Sequence, residues 1–294
     1  MLRQFNALGS NFLSHNDAKG NKQSYRKGEK IAIKINLNGT SEYSEDHSGE
    51  THTGYTNPVL LRELIASLIK NGGVAPKDII VYDVSRIIPD YMIAFCSAGH
   101  LKGAHFVGRN NCEADYNAPL QWSTAFTDNI SYFPTCLTQA SYLINLAQLR
   151  GHSWGVSLCA KNHFGSFVNN NYVSPPVGAN LHPFMTDKAM DEYMPHVDLI
   201  ANQQLGGKTM LYMLDAFICP PSEVAAVTQE NAIWKQVPFN GSYTSSLFLS
   251  QDPVAIDSVG MDFLMNEPTI LSENPAVARD RKSTRLNSSH MPVS

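Results

Sequence analysis

Residues 156–166 read VSLCAKNHFGS. An apolar run that ends in Lys161, Asn162 and His163 delivers an ammonium, an amide and an imidazole together. Read as a strand, 156–160 places these groups at its carboxyl end, where open α/β sheets hold their ligands. A lysine in such a run is costly to bury alone, so Lys161 must meet a carboxylate, a bound anion or water. On strand spacing, Lys161 and His163 share one face and Asn162 takes the other. Gly165 permits close approach of a backbone or a ligand.

A second set follows the run KIAIKINLN of residues 30–38. Lys34, Asn36 and Asn38 alternate, so an ammonium and two amides line up on one face. That face suits an anionic or carbonyl-bearing ligand. It equally suits an exposed strand face whose asparagines begin a turn.

Carboxylates recur at the ends of apolar stretches. Asp83 and Arg86 follow IIVY, and Asp215 follows MLYML. Asp252 precedes Pro253 as an N-cap, and a helix N-terminus also favours anions. Asp257 falls on or near the inner face of the same helix and needs a partner, with Lys161 or Lys34 as candidates. His152, His182 and His196 are scattered, and no pair has the spacing of a helical zinc site. A divalent metal held by His182 with Asp215 or Asp252 is a variant reading. The five cysteines form no C-x-x-C pair, so no iron–sulfur or zinc cluster of the usual spacing is encoded. Their odd count and wide spacing favour reduced thiols. Gly207-Lys208-Thr209 imitates the end of a phosphate-binding loop, but Asn202 stands where a glycine is required. Neither G-x-S-x-G nor G-x-G-x-x-G is present.

These groups need a scaffold. Asn57-Pro58 opens a helix with Leu60, Leu61, Leu64, Ile65, Leu68 and Ile69 on one face, and Asn71-Gly72-Gly73 closes it. Strands are expected at 30–38, 78–85, 104–107, 140–146, 156–160 and 245–250. Residues 187–203 read as a helix, and 252–265 as the final helix. Residues 209–216 fit a helix or a strand ending at Asp215, and periodicity does not decide. Residues 39–55 form a long polar loop, and 115–135 a variable insert. The strand–helix–strand spacing predicts a parallel crossover, hence one α/β domain with a mostly parallel central sheet flanked by helices.

The chain has 294 residues and a formal net charge of −4. Residues 280–294 contain DRKSTRLNSSH, which resembles a translated sequencing adapter, and are set aside from fold reasoning. Without them, 19 basic and 25 acidic residues leave −6. A mildly acidic chain gives no support for nucleic-acid or anionic-membrane binding. No apolar run approaches the roughly 20 residues of a membrane span. A cytoplasmic location is slightly favoured, with a lost export signal left open. The organisation expected is a polar lead-in over 1–29, an α/β domain over 30–267, an incomplete segment over 268–279, and the tail.

The segments KIAIKINLN, TNPVLLRELI, IIVYDVSR, SYLINLAQLRGH, LCAKNHFGS, DLIANQQLGGKTMLYMLDAF and SLFLSQDPVAIDSVGMDFL together resemble domain-of-unknown-function family 362. The most specific parts are Lys161-Asn162-x-x-Gly165 and Ser250-x-Asp252-Pro253-Val254-Ala255-x-Asp257. The resemblance implies an α/β fold and a bacterial or archaeal source. It also implies relatives longer at both ends, many of them fused to or acting near ferredoxin-type iron–sulfur modules. It does not imply a reaction.

The resulting expectation is an enzyme acting on a small anionic or carbonyl-bearing metabolite. Lys161, His163 and Asp257 are its candidate catalytic groups. Lys34, Asn36, Asn162 and Asp252 bind substrate, and His182 and Asp215 hold any metal. The alternatives are an accessory protein with a ferredoxin-type partner, and a purely structural polar core.

Overall fold

The computed structural model describes residues 13–16, 20–38, 54–123, 130–169, 181, 195–223 and 225–279. His182, most of the polar loop (39–53), the first part of the expected 187–203 helix and the tail lie outside them.

Six strands form the central sheet: β1 (Lys30–Lys34), β2 (Ile79–Asp83), β3 (His105–Gly108), β4 (Ala140–Gln148), β5 (Thr209–Ala216) and β6 (Ser246–Ser250). Their order is β6-β5-β4-β1-β2-β3. All neighbours are parallel except β6, which runs antiparallel to β5 along the edge. This is a doubly wound α/β sheet, as the alternation of elements predicts. From β1 the chain builds outward to β3, then returns to place β4 on the other side of β1. The order therefore reverses between β1 and β4, and sheets of this kind usually hold ligands outside the carboxyl ends of the strands at such a point.

Two-residue periodicity assigns the faces. Ile31, Ile33, Ile79, Val81, Tyr142, Ile144, Leu146, Leu211 and Met213 pack on α1 (Pro58–Gly72) and α2 (Asp90–Cys96). The intervening Ala32, Tyr82, Leu143, Ala147, Tyr212 and Leu214 face the opposite layer, which contains α3 (Cys159–Asn162), α4 (Pro195–Ala201) and α5 (Pro253–Asn266). Lys34 and Asn145 fall in the same alternation as this second set.

Helix α1 begins and ends as its sequence dictates. The Asn57 side chain accepts from Val59 N and Leu60 N, and Gly73 closes the helix at φ 67°. Residues 209–216, ambiguous by periodicity, are a strand, because β4 and β6 flank them on both sides. The insert contains strands Ala114–Leu120 and Ser131–Pro134. Among the described residues no helix is long and apolar enough to cross a membrane.

The expected strand at 156–160 is corrected. The strand is confined to Gly155–Ser157, which pairs with Arg150–His152 in a separate two-stranded ribbon. Cys159–Asn162 is a helical turn, followed by a 3-10 turn over His163–Gly165. The reason is a cap supplied from a distance: Asp257 on α5 accepts the N–H groups of Cys159 and Ala160, each at 2.8 Å. A carboxylate on exposed amide donors stabilises the start of a turn as it does that of a longer helix.

Candidate functional site

Lys34 ends β1 with its side chain 1 % exposed. It donates to Ile35 O at 2.6 Å, Asp83 Oδ2 at 3.1 Å and Asn162 Oδ1 at 3.2 Å. Three donors meet three acceptors, so the ammonium is satisfied within the protein. Burial pulls the Lys34 pKa down, and Asp83 opposes that shift. Asp83 is equally committed, accepting Leu37 N at 3.0 Å on Oδ2, and Ser85 N at 3.0 Å and Ser85 Oγ at 2.6 Å on Oδ1. Gly165 is required here: a Cβ on it would lie 2.3 Å from Asp83 Oδ1. The group that approaches Gly165 is therefore the Asp83 carboxylate.

From Asn162 the network runs inward. Its amide nitrogen donates to Asn145 Oδ1 at 2.8 Å. The Asn145 amide lies 2.8 Å from Cys159 O and 3.0 Å from His163 Nε2. Both its protons are then used, which makes Nε2 the acceptor and leaves the ring proton on Nδ1, 3.1 Å from Ser166 Oγ. Ser166 Oγ lies 3.1 Å from the Tyr82 hydroxyl. His163 is fully enclosed, and burial followed by the nearby Lys34 charge pushes its pKa down to about 3. It stays neutral near pH 7 and is spoken for at both nitrogens. The helical turn also overturns the strand-based faces: Asn162 and His163 turn into this network, and Lys161 turns to His152.

A second layer lies outside the first, around the Arg150–His152 strand that continues from β4. The Arg150 side chain is 0 % exposed. It donates to Gly54 O and, at 3.1 Å, to Asn36 Oδ1. Its Nε is buried with no hydrogen-bond partner. Burial lowers its pKa to about 10, the Glu223 charge opposing and Arg86 reinforcing that shift. Asn36 also receives Asn38 N on its oxygen and donates to Ser157 Oγ at 3.3 Å. His152, two residues on and therefore on the same side as Arg150, accepts Trp154 N–H on Nδ1 at 3.0 Å. Its proton in the neutral ring thus sits on Nε2. That nitrogen faces Lys161 Nζ at 3.2 Å and Glu223 Oε1 at 3.6 Å. Glu223 is held by Ser153 N at 2.8 Å and Ser153 Oγ at 2.6 Å. The Phe164 ring lies 4.8 Å from the Lys161 ammonium.

The expected site residues thus separate. Lys34, Asn162 and His163 belong to the inner network. Asn36 and Lys161 belong to the outer layer. Asp257 holds the turn that carries Lys161 and Asn162. Asp252 is exposed and caps α5 through Val254 N at 2.8 Å and Ala255 N at 3.0 Å. Asp215 lies on the α1 side of the sheet, accepting Asn57 N at 2.8 Å and Phe217 N at 3.2 Å. Burial raises its pKa to about 6. Both its oxygens hold backbone, and among the described residues no three His, Cys, Asp or Glu side chains converge as metal ligands.

Arg150, His152, Asn145 and Glu223 were not among the sequence-derived candidates. The signals present were a polar Asn145 inside the apolar run SYLINLAQL, and Arg150 and His152 alternating directly after it. Glu223, in the loop after β5, carries no local signal.

A family model described as Domain of unknown function (DUF362) matches residues 31–262. The chain belongs to this family. Both motifs of the DUF362 chain now have a geometric account: Asp257 of one holds the turn that presents Lys161 and Asn162 of the other, and Gly165 makes room for Asp83. No curated protein and no solved structure matches the chain.

Proposed function

We propose that this DUF362 protein is an enzyme that binds a small anionic metabolite in the crevice between the carboxyl ends of β1 and β4. The observation that carries this reading is Arg150. A guanidinium with no exposure, two neutral acceptors and an unpartnered Nε is expensive to hold as a charge. Its position beyond β4 is where the sheet order reverses, the place such folds use for ligands. A carboxylate or phosphate fits the planar fork of an arginine.

In this reading the anion replaces the Gly54 carbonyl as acceptor for Arg150. Asn36 orients the ligand, and Lys161 supplies a second cation. His152, set between Glu223 and Lys161, is the proton-transfer group. The inner network of Lys34, Asp83, Asn162, Asn145 and His163 serves as the rigid floor beneath them.

Calorimetric titration with inorganic phosphate and with succinate tests the reading. One of the two probes should bind the parent protein and lose at least about tenfold in affinity in Arg150→Gln. Thermal melting of the variant separates lost binding from lost folding. If neither probe binds the folded parent, the anion site is wrong, and the accessory role beside an iron–sulfur protein becomes the reading to pursue.

A further inference from the structure

The family model stops at residue 262, but the chain beyond it folds against the Arg150–His152 ribbon. Glu267, fully buried, anchors this later segment: its carboxylate accepts Thr269 N, Lys235 N and Gln236 N, each at 3.1 Å. The short helix Pro268–Glu273 leads to Asn274, whose N–H donates to Ile270 O at 2.8 Å. A 3-10 turn follows over Pro275–Arg279, and its Val277 is buried in the cluster that holds Val156 and Leu158.

Asn274 is buried, and each polar atom of its side chain is used. The amide nitrogen donates to His152 O at 3.0 Å and to Pro221 O at 2.8 Å, and the amide oxygen accepts Ala276 N at 3.2 Å. An amide nitrogen carries two protons, so each carbonyl receives one. The carbonyls belong to different segments: His152 to the ribbon, Pro221 to the loop after β5 that carries Glu223. The same two segments meet backbone to backbone beside it. Gly151 N donates to Pro220 O at 3.3 Å, and a Cβ on Gly151 would lie 1.8 Å from Pro221 O and 2.9 Å from Asn274 Nδ2. There is no room for a side chain at this seam, and Asn274 reaches across it from outside. Removing its amide takes a donor from two carbonyls at once, and buried acceptors that lose a donor are costly.

We propose that Asn274 is the positioning residue that sets His152 against Glu223. The His152 Nε2 and Glu223 Oε1 atoms are 3.6 Å apart, and Lys161 Nζ lies 3.2 Å from the same ring nitrogen. Ser153 ties the Glu223 carboxylate to the turn of the ribbon. Asn274 ties the loop that delivers Glu223 to the backbone of His152 itself. It acts through the backbone of both segments, and its loss lets the loop draw away from the ribbon. The catalytic consequence rests on the reading of His152 as the proton-transfer group; the geometry that Asn274 sets does not depend on a bound ligand.

The test follows the titration of the His152 ring by NMR, its signal assigned by its loss in His152→Gln. The proteins compared are the parent, Asn274→Ala, Glu223→Gln and the double variant. An anion beside the ring favours its protonated form. Glu223→Gln should therefore lower the titration midpoint by about one pH unit, and Asn274→Ala should lower it by roughly half a pH unit or more. In the Glu223→Gln background Asn274→Ala should have no further effect, because it acts through that carboxylate. Ile270→Val loosens the same segment without touching either carbonyl and should leave the midpoint at the parent value. An Asn274→Ala midpoint equal to the parent's would overturn the proposal. So would the same displacement with and without Glu223, or an equal displacement in Ile270→Val. Asn274→Ser, which keeps one donor, is read in the same way if Asn274→Ala fails to fold. The readout uses no ligand, so the positioning role can fail while the anion site stands, and phosphate and succinate can fail to bind while the positioning role holds.

Discussion

The Asp257 carboxylate spans from α5 to the N-terminus of α3, one oxygen on Cys159 N and the other on Ala160 N, each at 2.8 Å. This contact makes residues 159–162 helical and so decides where Lys161 and Asn162 point. Asp257→Ala removes a cap from a buried turn and should cost about 1–2 kcal/mol by urea denaturation. It should also weaken anion binding, because Lys161 loses its fixed position. Unchanged stability would show that the turn forms without the cap.

Lys34 and Asp83 form a buried ion pair at 3.1 Å. Lys34→Met leaves the Asp83 carboxylate without its cation, and removing one partner of such a pair typically costs about 3–5 kcal/mol. Asp83→Asn should be less damaging in the Lys34→Met background than in the parent, since the stranded charge is then gone. A double-mutant cycle measures this coupling, and additive effects would mean the pair is not coupled.

Gly165→Ala would place a methyl 2.3 Å from Asp83 Oδ1 and 3.0 Å from Ser85 Oγ. Neither neighbour is the end of a long flexible chain, so the turn or the strand end must shift. A loss of about 1–3 kcal/mol is expected from such overpacking, read as a lower thermal midpoint. An unaltered midpoint would show that the contact relaxes freely.

Two buried groups oppose each other in acid. His163 falls from 6.5 to about 3, so the native state binds fewer protons than the unfolded chain between those values. Its contribution is complete above pH 6.5 and is lost as pH falls toward 3. Asp215 rises from 3.8 to about 6, so the native state keeps a proton that the unfolded chain releases. Stability from that group therefore increases as pH falls from 6 toward 3.8. Denaturation midpoints of the parent should change little from these two groups between pH 6 and 4. Asp215→Asn should show a steeper loss on acidification, and His163→Gln should gain stability over the same window. Parallel pH profiles for all three proteins would refute the assignment.

Local order was legible in the sequence wherever local chemistry decides it. The Asn57 cap, the apolar face of α1, the Gly73 stop, the alternation of β1 and the apolar run of β2 all sit where pattern and capping residues placed them. So did the parallel sheet, since strand–helix–strand spacing admits few topologies. The choice between helix and strand for 209–216 was not legible, because both periods fit and only pairing with β4 and β6 settles it. The polar site shows the same division. Residue types near strand ends marked Lys34, Asn36, Lys161 and Asn162 as belonging together. Which lysine meets which carboxylate depends on contacts across 49 positions for Lys34 with Asp83 and 98 for Cys159 with Asp257. Such contacts leave no period in the chain. Tertiary structure alone therefore put Lys34 in a satisfied ion pair, turned His163 inward, and set Arg150 and His152 side by side beyond the end of β4. The physical reason is that burial sets the cost of each charge, and burial is a property of the packed fold.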